Sequence, residues 1–170
     1  MEIAEYFDSV AAFWDDDFSE AKPARAVAST VSIPRGGACE IEGLDISRNM
    51  VEVARSKYDF DPRIHVTHGD FLQHEQTGYD VLMAFNSYHF FPQPRAFLNK
   101  AKQQLRPGGR LTAAFPYDRD HVNTLSAILP AGMARGLLSA EEETLFWQEL
   151  FDVDCLCDNG SLYLISGLVK

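Results

Sequence analysis

The chain has 170 residues, 46% of them hydrophobic, and a formal net charge of -10, which suits one globular domain with a real core and excludes a disordered chain. No apolar run approaches the ~20 residues that cross a bilayer, and the acidic start, Met1-Glu2-Ile3-Ala4-Glu5, has neither the basic residues nor the apolar stretch of a secretory signal; the cytoplasm is the expected compartment. No membrane partner is expected from the lack of such a run, and the acidic balance repels phosphate backbones, which argues against nucleic acid and leaves a small molecule, a cationic ligand or another protein.

The elements follow in chain order. Ile3, Tyr6, Phe7, Val10, Phe13 and Trp14 recur at spacings of three and four, predicting a helix with one aromatic face over 2–18. A second helix is expected over about 20–31, stopped by Ile33-Pro34-Arg35-Gly36-Gly37. Residues 39–45 read as a short strand, Ser47 as a helix N-cap, and 49–58 as a helix with Met50, Val51, Val53 and Ala54 inward. A strand is expected over 63–68. The nearly continuous apolar run at 79–86 predicts a strand buried on both faces of a parallel sheet. An amphipathic helix over 93–105 is stopped by Arg106-Pro107-Gly108-Gly109, and a strand follows at 110–115. Ser139 and Glu142 form a capping-box pattern for a helix over 139–150. Residues 153–157 and 161–169 flank Asp158-Asn159-Gly160, a hairpin signal. The fold class is therefore α/β: a Rossmann-like, mostly parallel sheet with helices on both faces and an antiparallel C-terminal hairpin. One domain is expected over 1–170, with a helical lid segment at 1–35 and an α/β core at 38–170.

Three strand ends carry polar groups. In doubly wound sheets ligands sit at the carboxyl ends of strands. Asp45, in Gly43-Leu44-Asp45-Ile46-Ser47, offers two acceptor oxygens that suit the hydroxyls of a ribose; it also suits a local helix cap. Asp70, in Gly69-Asp70-Phe71, suits an adenine amino group with an apolar neighbour over the ring; alone, it reads as a solvated turn acid. Asn86-Ser87-Tyr88-His89-Phe90-Phe91 follows the apolar strand, and Tyr88 and His89 are candidates for acid–base or substrate-orienting work, against a loop that merely packs its aromatics. No metal site is expected: five histidines and three cysteines show no ligand spacing, and His65 and His68 fall on opposite faces of a strand. A dinucleotide oxidoreductase is disfavoured because no Gly-x-Gly-x-x-Gly follows a strand.

The segment Ile41-Glu42-Gly43-Leu44-Asp45-Ile46-Ser47 with Met50 and Ala54-Arg55 resembles the second-strand region of class I methyltransferases. His68-Gly69-Asp70-Phe71 is similar to their adenine-contacting turn, Leu105-Arg106-Pro107-Gly108-Gly109-Arg110-Leu111 to the loop before their fifth strand, and Tyr6-Phe7-Asp8 through Trp14-Asp15 to the N-terminal helix that covers the cofactor in small members. The resemblance implies S-adenosylmethionine as cofactor and a small molecule as methyl acceptor. It implies that Asp45 and Ile46 hold the ribose region, Met50 lies against adenine, Asp70 and Phe71 fix its edge, and Asn86 joins the cofactor site. Tyr6, Phe7 and Trp14 become lid residues.

One part of the family pattern is missing. A first strand, a glycine-rich turn and a helix are expected before residue 38, yet Gly36-Gly37 runs straight into Ala38-Cys39-Glu40-Ile41. A parallel crossover needs about a dozen residues or more, which 34–38 do not supply. Loss of the block with impaired cofactor binding, rebuilding by a partner chain such as a second copy or by a strand at 28–33, and omission of a stretch from the sequence all remain open. A methyltransferase-like protein without catalysis, serving as a binding or interaction module, is the alternative function.

Overall fold

A computed structural model describes residues 2–13 and 40–170 of the chain. The expected helix at 20–31, the alternative strand at 28–33, Trp14, Cys39 and the Gly37–Ala38 junction lie outside the described residues. Those described fall in two compact units, 2–13 with 40–74, and 75–170.

The first unit is built on one strand–helix–strand crossover. Helix α1 (Ile3–Val10) passes into a short 3-10 turn at Ala11–Phe13. Strand β1 (Ile41–Asp45), helix α2 (Arg48–Tyr58) and strand β2 (Ile64–His68) follow, and β1 pairs with β2 in parallel from Ile41↔Ile64 to Asp45↔His68. Val51 is buried from α2. Arg55 ties the helix to the sheet, donating from Nε and Nη2 to the Val66 carbonyl at 2.9 and 2.6 Å. Ser47 caps α2 as its sequence predicts, its hydroxyl accepting from the Met50 amide.

The second unit holds β3 (Tyr79–Phe85), α3 (Pro94–Gln104), β4 (Leu105–Phe115), α4 (Arg119–Ile128), α5 (Ala140–Trp147), β5 (Phe151–Asn159) and β6 (Leu162–Val169). Its sheet runs β3-β4-β6-β5, parallel between the first two and antiparallel thereafter. Two expectations are corrected. Strand β3 is not buried on both faces: only Ala84 is, while Asp80 and Phe85 are exposed, and within the sheet of this unit β4 is its one neighbour. The Arg106–Gly109 run does not delay β4, which starts at Leu105 and absorbs those residues as an irregularity between Tyr79↔Leu105 and Val81↔Arg110. Helix α4, which no expectation covers, starts where the Asp118 carboxylate accepts from the His121 amide, and Asp118 is its N-cap signal in the sequence.

The core of this unit gathers Trp147, Tyr88, Phe97, Phe115, Phe151 and Tyr163, all essentially inaccessible to water. Helix α5 begins with the predicted capping box, Glu142 accepting from the Ser139 amide at 3.0 Å while Ser139 accepts from the Glu142 amide at 3.2 Å, and it ends at Trp147. The terminal hairpin is closed by the Asn159 side chain, which accepts from the amides of Ser161 and Leu162.

A bulge in β5, between Val153 and Cys155, sends Asp154 to a forked pair with Arg110 at 2.7 and 2.6 Å. Gly167 lies opposite that bulge. A Cβ there would stand 2.8 Å from the Asp152 carbonyl oxygen and 3.1 Å from the Val153 Cα, both backbone atoms that cannot swing away. Gly167→Ala should therefore force β5 off β6 and lower stability by roughly 1–3 kcal/mol. Chemical denaturation checks this; an unchanged midpoint would show that the hairpin yields freely.

Candidate functional site

In the first unit the register of β1 and β2 places Asp45 beside His68, so Asp45 and Asp70 both lie at the carboxyl end of two adjacent parallel strands. The turn after β2 is fastened to the end of β1 by the Gly69 amide, which donates to the Asp45 carbonyl at 2.9 Å. Each acid spends one carboxylate oxygen locally. Asp45 Oδ1 accepts from the Ser47 amide at 2.8 Å, and Asp70 Oδ1 accepts from the Leu72 amide at 2.9 Å at the head of the 3-10 turn Phe71–Gln73. No described residue bonds the second oxygen of either. The local capping roles and a ligand-binding role are thus compatible, because a carboxylate has more acceptor sites than one amide can fill. Burial pushes the Asp45 carboxyl above the usual range, against the Ser47 amide, which lowers it; the nearby Asp8 charge pushes it further up.

Ser47 is fully buried and makes three bonds at once. Its amide goes to Asp45, its hydroxyl oxygen accepts from Met50, and its hydroxyl hydrogen goes to Asp8 Oδ1 at 2.6 Å. Met50 is half-buried on the first turn of α2, and Phe71 is half-buried directly after Asp70. The Ile46 carbonyl lies 3.1 Å from His68 Nε2. On α1, Tyr6 and Phe7 are half-buried, their rings edge to face at 5.3 Å. Asp8 is a residue of this site whose role the sequence does not signal. Its contact with Ser47 spans 39 positions, and nothing local signals it.

Asn86, Tyr88 and His89 belong to the second unit. Asn86 turns the chain after β3 with φ 50°, and its amide donates to the Ala114 carbonyl at 2.8 Å. Tyr88 is fully buried. Its hydroxyl donates to Glu143 Oε2 at 3.0 Å and accepts from Trp147 Nε1 at 3.3 Å, and burial followed by the Glu143 charge drives its pKa upward. The Arg135 guanidinium lies 4.6 Å over the Tyr88 ring and pairs with Glu143 Oε1 at 2.5 Å. Tyr88 is held as part of a buried network.

His89 is 5% exposed, its ring 3.9 Å from that of Phe90 and edge-on to Phe115; no described residue bonds its Nδ1. Burial first, then the Arg135 charge, lowers its pKa to about 4. The imidazole is therefore neutral at physiological pH. In the unfolded chain it titrates near 6.5, so between about 6.5 and 4 the unfolded state holds the extra proton and stability falls as pH drops. The full loss amounts to at most about 3 kcal/mol. Urea midpoints between pH 7 and 5, where few carboxylates titrate, should decline in the wild type and flatten in His89→Gln; parallel curves would remove His89 from the pH dependence.

Among the described residues no group of three or more His, Cys, Asp or Glu side chains is placed to hold a metal ion, and no helix is long and apolar enough to cross a membrane.

No curated protein matches the chain. Among solved structures, a SAM-dependent methyltransferase from Thermotoga maritima superposes with a TM-score of 0.71 at 18% identity, covering 99% of this chain and 100% of its own. A methyltransferase bound to the Trm112 activator from Haloferax volcanii gives 0.63 at 19%, over 86% and 77%. The N-methyltransferase NodS from Bradyrhizobium japonicum, in complex with S-adenosyl-L-homocysteine, gives 0.59 at 13%, over 77% and 67%. At such identities the likeness establishes the fold, a Rossmann-like α/β class. Residues 22–109, more than half of the chain, match the family model described as a methyltransferase domain, and the chain belongs to the class I methyltransferase family.

Proposed function

We propose that this chain is an S-adenosylmethionine-dependent methyltransferase acting on a small molecule. The observation that carries the reading is the pair of acids, Asp45 and Asp70, at the carboxyl ends of paired parallel strands, each with one oxygen held by a local amide and the other bonded by no described residue. That acceptor set fits an adenosine. The second oxygen of Asp45 accepts from the ribose hydroxyls, Asp70 accepts from the adenine amino group, and Ile46, Met50 and Phe71 provide the surrounding surface. Tyr6 and Phe7 on α1, with Trp14, serve as covering residues. S-adenosylmethionine, when bound, supplies a methyl group already activated by its sulfonium.

The work left to the protein is to bind, orient and exclude water, since alignment of nucleophile and methyl supplies much of the rate. His89, neutral and with no described residue bonded to its Nδ1, is the candidate for orienting an acceptor. Tyr88 contributes by holding that loop, and Asn86 by the turn that opens it. A small acceptor agrees with the net charge of -10, which disfavours a nucleic-acid substrate.

One observation favours the second reading, a binding protein without catalysis: no glycine-rich turn precedes β1 in the sequence. Calorimetric titration of the full chain with S-adenosylmethionine, S-adenosylhomocysteine and adenosine, alongside its intact mass, tests both. Binding of all three with no methyl transfer to any acceptor supports the second reading. Failure to bind any of them sinks the first reading and leaves the second only as an interaction module.

A further inference from the structure

The contact between α1 and the Asp45 turn goes beyond simple packing. The Asp8 carboxylate accepts from the Ser47 hydroxyl at 2.6 Å and from the Asn49 amide at 3.0 Å, while the Asp8 carbonyl accepts from the Asn49 side-chain amide at 3.0 Å. These bonds bring a charged side chain from one element onto the first turn of another, where an anion is favoured by the unpaired amides and the helix dipole. The receiving residue, Ser47, is the one whose amide holds Asp45 Oδ1. Asp8 and Asp45 thus grip one buried residue from two sides.

We infer that Asp8 is a positioning residue that couples the N-terminal helix to the ribose-binding turn, so that placement of α1 and placement of the Asp45 carboxylate are set together. The inference rests on the cofactor reading above for its consequence in binding, and on geometry alone for the coupling itself. Without the Asp8 carboxylate, the Ser47 hydroxyl keeps a buried hydrogen with no acceptor, and the hydroxyl is free to turn away from the Met50 amide it caps. Of the described polar ties between α1 and α2 formed by Asp8, only the bond from the Asn49 side-chain amide to the Asp8 carbonyl then remains. Tyr6 and Phe7 are left to hold it by apolar contact, and none of its residues is fully buried.

The test compares wild type, Asp8→Ala, Asp8→Asn and Asn49→Ala as full chains. Two readouts are taken: amide hydrogen exchange over residues 3–10, and calorimetric affinity for S-adenosylhomocysteine and for adenosine. Asp8→Ala should raise exchange across α1 and weaken both ligands by about tenfold. Asp8→Asn keeps an acceptor oxygen in the same place and should restore most of both effects, which a general loss of helix packing would not allow. Asn49→Ala removes only the tie to the Asp8 carbonyl and should give a smaller change in the same direction, so the inference stays testable even if Asp8→Ala folds poorly. Unchanged exchange in both alanine variants overturns the inference. Raised exchange with unchanged affinity overturns the coupling to the ribose turn. If wild type binds neither ligand, the cofactor reading fails by itself, and exchange decides the tie: raised in Asp8→Ala and restored in Asp8→Asn supports it, anything else overturns it.

Discussion

Replacing Glu143 with alanine should cost about 3–5 kcal/mol of folding stability, the range for removing one partner of a buried ion pair. Glu143 is fully buried on α5 and receives Arg135 through two nitrogens, at 2.5 and 3.3 Å, together with the Tyr88 hydroxyl at 3.0 Å. Its loss leaves a mostly buried guanidinium without a counter-charge and a buried phenol without its acceptor. Arg135 also anchors the Asn86–Phe91 loop, since its amide donates to the His89 carbonyl at 2.9 Å and its Nε to the Phe91 carbonyl at 3.2 Å. The damage should therefore spread from α5 to the loop after β3. With total stabilities of about 5–15 kcal/mol for a folded protein, such a loss removes about a fifth or more. Chemical denaturation, followed by near-ultraviolet circular dichroism of Trp147 and Tyr88, measures it. Removing Arg135 as well should return part of the loss, because the second deletion takes away the stranded charge. A loss below about 1 kcal/mol for Glu143→Ala would show that the pair is dispensable.

Asp45→Ala should abolish nucleoside binding and cost about 1–3 kcal/mol of stability, because it leaves the buried Ser47 amide without its acceptor. The wild-type chain, with no glycine turn in its sequence to close on the methionine end, is expected to bind S-adenosylmethionine in the micromolar-to-millimolar range, about 4–8 kcal/mol. Adenosine should compete almost as well, since the candidate contacts all lie at the adenosine end. Removing Asp45 then deletes the only charged acceptor proposed for the ribose, and a loss of about a hundredfold is expected. Stability should follow a different course. A carboxyl whose folded pKa is raised contributes stability that is present at low pH and lost as pH rises through that value. Burial raises Asp45 in this way, so near neutrality its charge adds nothing to the fold. Titration calorimetry and thermal unfolding on the same sample separate the two effects. Tight, methionine-dependent binding by a chain of confirmed mass would show that another segment rebuilds the missing turn. An Asp45→Ala chain that binds as the wild type does would remove Asp45 from the site.

Much of this was legible in the amino-acid sequence, because it depends on neighbours along the chain. The caps at Ser47 and Ser139 need only a hydroxyl and an amide three residues on. The crossover from β1 to β2 follows from the spacing of apolar residues, and the places of Asp45 and Asp70 follow from the strands they terminate. The family resemblance rests on the same ordered local motifs, and the family match agrees with it. Tertiary structure alone decided the rest. The apolar run of β3 predicts burial on both faces, but burial depends on which strands flank it, and a sequence does not state its neighbours. Glu143 sits in the capping-box helix with no mark to distinguish it from the exposed Glu141 and Glu142; the approach of Tyr88, 55 positions earlier, and of Arg135 makes it a buried acceptor. Asp8 resembles any polar residue on an amphipathic helix until folding brings it to Ser47. Local hydrogen bonds and periodicity are set by spacing of a few residues, which the sequence carries. Burial, charge pairing and long-range bonds are set by the path of the whole chain, which only the folded molecule holds.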